Sequence, residues 1–155
     1  FTSLYWEDPS FQLAEGDRAV GDSAAKLARF GTELETVVGR WLGAGHDVLL
    51  VDPVPRLPWN PHACTTLSVS AGTCDVDVAI EELTDVQQEA WRITERVAAD
   101  SGASVWRPQL ALCPEGVCRV VAADGTVMYR DGGHLSVPGA EALIEELLEA
   151  VRAAD

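Results

Sequence analysis

The sequence predicts an α/β fold organised around a parallel sheet. Two observations carry that prediction and a third limits it. Apolar residues recur at helical spacing in three segments, and short β-favouring runs alternate with them as strand, helix, strand, helix, strand, helix. That is the order of a parallel layer whose strands are joined by helical crossovers. The 155 residues are 47% hydrophobic, enough for a single domain, 1–155, with its own core. Only three such strands are visible, whereas a doubly wound sheet usually has about five, so the sheet is expected to be incomplete on its N-terminal side.

Taken in order, "FTSLYW" reads as a short strand that ends at Glu7-Asp8-Pro9. Residues 7–22 show no period and read as loop. From Ser23, the positions Leu27, Phe30, Leu34, Val37, Val38, Trp41 and Leu42 mark a helix, with Asp22 or Ser23 as cap and Gly43 or Gly45 as stop. "HDVLLVD" is a continuous apolar run, the pattern of a strand buried on both faces. In "PVPRLPWNPHAC" the proline density excludes regular structure. This loop follows a strand, the place where open α/β sheets hold ligands.

A second helix is expected over 84–100, capped by Thr84, with Val86, Ala90, Ile93 and Val97 on one face. "ASVWRP" is the third strand, and Asp124-Gly125 between two β-favouring arms signals a hairpin. The closing "PGAEALIEELLEAVRAAD" aligns Ala140, Leu143, Ile144, Leu147, Leu148 and Val151 in one stripe with acids opposite. No internal repeat or low-complexity segment interrupts this order.

Charge narrows the partners. The formal net charge is −14, from 25 acidic and 11 basic residues, and the basic residues are scattered singly, so a nucleic-acid partner is not expected. An anionic membrane surface would repel the chain, and its apolar runs fall far short of the ~20 residues that span a bilayer. The chain opens at Phe1 without Met or a signal-peptide core, which reads as a fragment or processed form. Four cysteines fall in two close pairs, Cys64 with Cys74 and Cys113 with Cys118, and read as two small disulfide loops of an oxidising compartment. A four-thiolate zinc site is the alternative, but neither pair has the two-residue gap of a zinc knuckle.

The chemistry concentrates in "YRDGGHLSVPG", residues 129–139. In a Ser-His-Asp site, a carboxylate accepts from one imidazole nitrogen and fixes the tautomer, while the other nitrogen removes the proton from a serine hydroxyl. Asp131 and His134, three apart, supply two of those parts. Gly132 and Gly133 offer backbone freedom for a turn between them, and Ser136 is placed to cap the last helix. On spacing alone, His134 is equally an ordinary polar residue at a helix mouth. Trp59 and Asn60, with His62 nearby, lie on the proline-rich loop; an indole beside polar groups can stack on a sugar ring, or simply cover its own core. His46 reads as a solvent-facing turn residue. Glu81, Glu82, Glu141, Glu145, Glu146 and Glu149 read as solvated helix surface rather than a metal site.

"YRDGGHLSVPGAEAL" resembles the last block of the SGNH (GDSL-like) hydrolases, in particular the extracytoplasmic SGNH domains fused behind acyltransferase family 3 membrane proteins. In those, a strand ends in Tyr-Arg-Asp, and the Asp-x-x-His pair is followed by Leu-Ser and a glycine-containing helix start. "LGAGHDVLLVDPVP" and the cysteine pairs flanking a helix follow the same family's order, so the resemblance runs from about residue 34 to 148, and "SLYW" is similar to the strand before it.

The resemblance implies a flavodoxin-like three-layer α/β/α sandwich, with Asp131 as orienting acid and His134 as general base. It implies ester hydrolysis or acyl transfer at a cell-surface glycan, outside the cytoplasm, with no metal or organic cofactor. The partners it implies are an acylated glycan or acyl donor, the N-terminal half of the same domain, and an upstream membrane acyltransferase domain that tethers it. The family's nucleophile block, a strand followed by Gly-Asp-Ser, lies before these elements. "GDSAAKL" at 21–27 matches its letters, but the preceding "QLAEGDRAV" is polar where a buried strand should aim the serine. Ser23 is therefore expected to cap a helix, with the nucleophile upstream. The rival from another class is a non-catalytic shell that binds glycan or protein.

Overall fold

A computed structural model describes residues 13–15, 18–20, 22–61, 77–83 and 85–154. "FTSLYW", Thr84, His62, Cys64 and Cys74 lie outside the described residues. The fold is α/β, and the chain forms two compact units: Phe1–Pro53 with Asp85–Trp106 and Ala150–Asp155, and Val54–Thr84 with Arg107–Glu149.

In the first unit, β1 (Leu13–Glu15) and β2 (Arg18–Val20) form an antiparallel hairpin, Leu13 facing Val20 and Glu15 facing Arg18. The loop expected over 7–22 is thus corrected within those residues. A pair of three-residue arms is too short to show a period, so pairing across the turn, not patterning, makes them strands.

Helix α1 (Ser23–Gly43) starts where Asp22 accepts from the Ala25 N–H at 2.9 Å. The cap is therefore Asp22, and Ser23, expected to cap, is the first helical residue. The helix ends in a turn through Gly45, whose φ of 83° suits glycine. Strand β3 (Leu49–Val51) then pairs in parallel with β5 (Ser104–Trp106), Leu49 opposite Ser104 and Val51 opposite Trp106. Between them in sequence, the first unit resumes with helix α2 (Asp85–Ser101).

The apolar faces read from the sequence meet as a core of Leu27, Val38, Ala90, Ile93 and Val97, with Phe30, Leu34, Leu50 and Val86 packed around it. Gly31 permits the close approach of the two helices: a Cβ there would lie 3.3 Å from the Ile93 side chain. The Trp91 indole N–H donates to the Pro53 carbonyl at 3.1 Å, and the Asp52 N–H to the Trp106 carbonyl at 3.0 Å, which fixes the exit from β3.

β3 is not buried on both faces as expected. Val51 is 54% exposed, and among the described residues β3 has a strand neighbour on one edge only. Leu50, Val51 and Asp52 border a cavity of about 390 Å³ that Phe30, Leu34, Ala90 and Thr94 also line.

In the second unit, β4 (Val78–Ala79) pairs antiparallel with β6 (Val117–Cys118). Helix α3 (Pro108–Leu112) opens on the proline that ends the "ASVWRP" stretch, proline being suited to the first helical turn. A Cys113–Cys118 disulfide closes the following turn, where Glu115 and Gly116 take φ of 56° and 80°. Asp124-Gly125 forms the expected turn: Thr126 N–H donates to Asp124 Oδ1 at 2.9 Å, Gly125 has φ 88°, and Val121 bridges Val127.

Then come β7 (Tyr129–Asp131), β8 (His134–Leu135) and two helices, α4 (Val137–Glu141) and α5 (Ile144–Ala154). One continuous C-terminal helix was expected. It breaks because the Leu143 N–H bonds the Ala140 carbonyl three back, a tightened turn that buries Leu143. The apolar stripe beyond it is a surface feature: Ile144, Leu148 and Val151 are 40–47% exposed. Helical spacing marks a face; it does not say what meets it. Among the described residues no helix is long and apolar enough to cross a membrane.

Ile93 is 3% exposed at the junction of α1 and α2. Ile93→Ala removes buried methyl groups from a packed core and should lower stability by about 2–5 kcal/mol, read as a shifted midpoint in urea unfolding. A change under about 0.5 kcal/mol, the size of a surface effect, would refute that packing.

Candidate active site

Strands β7 and β8 are the two arms of a hairpin whose turn is Gly132-Gly133, and the register sets Asp131 directly opposite His134. Period-2 alternation sends directly opposed residues to the same face of a sheet, their Cβ atoms within about 5 Å, so side chains three apart in sequence come into hydrogen-bond range. His134 Nδ1 lies 2.8 Å from Asp131 Oδ1. An ionised carboxylate only accepts, so the proton of the neutral ring sits on Nδ1 and Nε2 keeps a free lone pair. The His134 side chain is 52% exposed and that of Asp131 32%, which leaves the ring open to a reactant.

Asp131 Oδ1 also accepts from the Gly133 backbone N–H at 2.9 Å. Oδ2 faces the Arg130 guanidinium, Nε at 3.4 Å and the terminal nitrogen at 3.3 Å. In a regular strand Arg130 would point to the opposite face from Asp131. The pairing skips a residue between Tyr129 and Asp131, and such a bulge re-aims a side chain. The Gly133 N–H first, then the hydrogen bond and charge of His134, and lastly Arg130 hold the Asp131 carboxyl down at about 2, against the ordinary 3.8.

The hairpin is pinned at both ends. Ser136 Oγ donates to the Val127 carbonyl at 2.6 Å and accepts from the Gly139 N–H at 3.0 Å, capping α4 as expected. The Ser136 N–H bonds the Met128 carbonyl at 2.9 Å. Gly139 sits so close to Met128 that a Cβ would run into the Met128 carbonyl. A glycine inside a helical pattern costs about 1 kcal/mol against alanine, and that cost is the sequence signal for such a close approach. At the other end, the Leu57 N–H donates to the Gly132 carbonyl at 2.8 Å. The proline-rich loop is thereby bound to the turn. Tyr129 is buried, and burial pushes its phenol well above the usual range.

Backbone freedom, the expected reason for Gly132 and Gly133, is corrected: neither has a left-handed φ. Space is the reason at Gly132, where a Cβ would stand 3.1 Å from the Trp59 carbonyl oxygen. Trp59 is half-buried and Asn60 exposed on that loop. The structure thus brings the loop carrying both residues against the Asp131–His134 turn. Arg130 and the spatial role of Gly132 were missed; no residue pattern announces a bulge or a loop docking from far along the chain. His46 is exposed, its ring edge-on to Trp41 with centroids 5.1 Å apart. The six glutamates read as solvated surface are all exposed.

A family model described as the SGNH domain fused to AT3 domains matches residues 2–149. No curated protein and no solved structure matches.

Because the Asp131 carboxyl is depressed in the folded protein, the stability it contributes is fully present above about pH 4 and is lost as pH falls through about 2. A 13C titration of the side-chain carboxyl should therefore show Asp131 still ionised at pH 3; a midpoint at or above 3.8 would remove the described hydrogen bonds from solution.

Proposed function

The chain belongs to the SGNH domains of the kind fused to AT3 domains, and from that membership we propose that it serves as an O-acyltransferase or esterase module acting on a cell-surface glycan. Membership makes it a module of hydrolase or acyltransferase type. The observation that carries the finer reading is the 2.8 Å contact between Asp131 Oδ1 and His134 Nδ1, with the ring half exposed.

The chemistry follows from that contact. A serine Oγ attacks the acyl carbonyl carbon while His134 Nε2 takes its proton; the new C–O bond leaves a tetrahedral oxyanion, and Asp131 steadies the imidazolium. Collapse breaks the bond to the leaving alcohol, which takes the proton back from Nε2. A sugar hydroxyl or a water then attacks the acyl-serine in the same way, regenerating the serine. Trp59 and Asn60 are the proposed substrate-binding side chains. A half-buried indole stacks on a sugar ring and an exposed amide reaches its hydroxyls.

The serine, on this reading, comes from the family's Gly-Asp-Ser block, in the N-terminal half of the domain. Ser23 is not assigned the role. It opens a 21-residue helix behind the cap of Asp22, and the strand before it is a three-residue arm of an antiparallel hairpin rather than a parallel strand. The parallel β3–β5 pair supports the three-layer sandwich as the complete architecture. An extracytoplasmic location is supported by the Cys113–Cys118 disulfide, since such bonds persist in oxidising compartments. The AT3 fusion of the family supports tethering to a membrane acyltransferase domain that delivers the acyl group.

In the intact enzyme, His134→Ala should lower the kcat for ester hydrolysis by about 100- to 10,000-fold, the worth of a positioned general base, with an unchanged circular dichroism spectrum. Ser23→Ala should leave turnover within about two-fold of wild type, the equivalent of a change under about 0.5 kcal/mol, because the helix cap is Asp22. Retained activity in the first variant would end the assignment of His134. Lost activity in the second would make Ser23 the nucleophile.

A further inference from the structure

Two adjacent glycines occupy one turn, yet their surroundings differ. A Cβ on Gly132 would lie 3.1 Å from the Trp59 carbonyl oxygen and 3.4 Å from that of Leu57, the former tighter than side-chain carbons ordinarily approach. A Cβ on Gly133 would meet nothing nearer than Asp131 Oδ1, at 3.9 Å. Neither residue has a left-handed φ, so alanine is conformationally allowed at both. Gly132 is also the residue whose carbonyl accepts from the Leu57 N–H at 2.8 Å. Leu57 itself is buried, only 3% exposed, so the loop is anchored at that point by its side chain as well as its backbone.

We propose that Gly132 is a positioning residue for substrate recognition: its missing side chain lets the Leu57–Asn60 backbone seat on the Asp131–His134 turn, and that seating sets where Trp59 and Asn60 meet a glycan. The inference rests on the reading of Trp59 and Asn60 as substrate-binding residues. The dyad is held within its own hairpin by the Gly133 N–H and the Asp131–His134 register. The loop is held to that hairpin by the Leu57 bond, with Gly132 at the seam. When a methyl group is added at 132, the loop is the part that yields, and the dyad keeps its geometry. Gly132 therefore tunes specificity separately from acid–base chemistry.

The test compares Gly132→Ala with Gly133→Ala. Binding of tri-N-acetylchitotriose, used as a glycan probe, is followed through the Trp59 indole N–H signal in 15N-correlated NMR spectra. Gly132→Ala should weaken the Kd about ten-fold, the order expected when a tight contact is overpacked, and by more than Gly133→Ala does. In the Trp59→Ala background, where binding is followed by the Asn60 side-chain amide, the effect of Gly132→Ala should shrink to the part that Asn60 carries, because the part routed through Trp59 is already lost.

In the intact enzyme, Gly132→Ala should raise KM for glucose pentaacetate while kcat for ethyl acetate stays at the wild-type value. No Trp59 shift in the wild type, equal losses at 132 and 133, or an additive double variant would each overturn the inference. Absent ester turnover with the binding difference intact would instead overturn the proposed acyl chemistry and leave the role of Gly132 standing.

Discussion

The site depends on main-chain register. A two-residue turn sets Asp131 opposite His134, and the contacts that Ser136 and Gly139 make protect that opposition. Slipping the pairing by one residue would turn the imidazole to the other face of the hairpin, so the register must be fixed from outside the turn. Met128 does this on one side, receiving the Ser136 N–H and pressed against Gly139. On the other side the Leu57 N–H bonds the Gly132 carbonyl and seats the proline-rich loop, while the Gly133 N–H on Asp131 Oδ1 holds the turn itself. The hairpin is short, and an isolated two-stranded hairpin is marginal in water. The docking of its neighbours is what gives it a single structure.

The same logic explains Ser136. Its hydroxyl donates to the Val127 carbonyl and accepts from the Gly139 N–H, so one side chain joins the segment leading into β7 to the helix after the site. Helix α4 has five residues, and isolated helices below roughly 12 residues are marginal. The cap, the proline at its first turn and the Gly139 contact stabilise it where propensity would not. The helix in turn fixes where β8 must end.

The sequence made part of this legible and concealed the rest for physical reasons. Helices α1 and α2 were readable because their apolar faces meet each other, and a period of 3.6 carries over many residues. The Asp131–His134 contact was readable because both partners lie within one turn. The break at Ala142-Leu143 was not, because the residues on either side continue one apolar stripe. The hairpin of β1 and β2 was hidden by its length, and the crowding at Gly132 by its origin in residues more than seventy positions earlier. What is local in chain and repeated is legible; what depends on a single distant approach is not.

Energetics decide how the pair is held. Both side chains are substantially open to water, and exposed ion pairs typically contribute only about 0–1 kcal/mol. The attraction between Asp131 and His134 is therefore too weak to impose the hairpin; the hairpin imposes the pair. This arrangement suits a base that must change charge during a reaction. A pair whose geometry came from its own attraction would loosen and tighten as the ring gained and lost a proton, whereas one set by backbone bonds keeps its distance in both states. The cost of openness is a high local dielectric, which weakens the support Asp131 gives an imidazolium. Excluding water from the ring would strengthen that support.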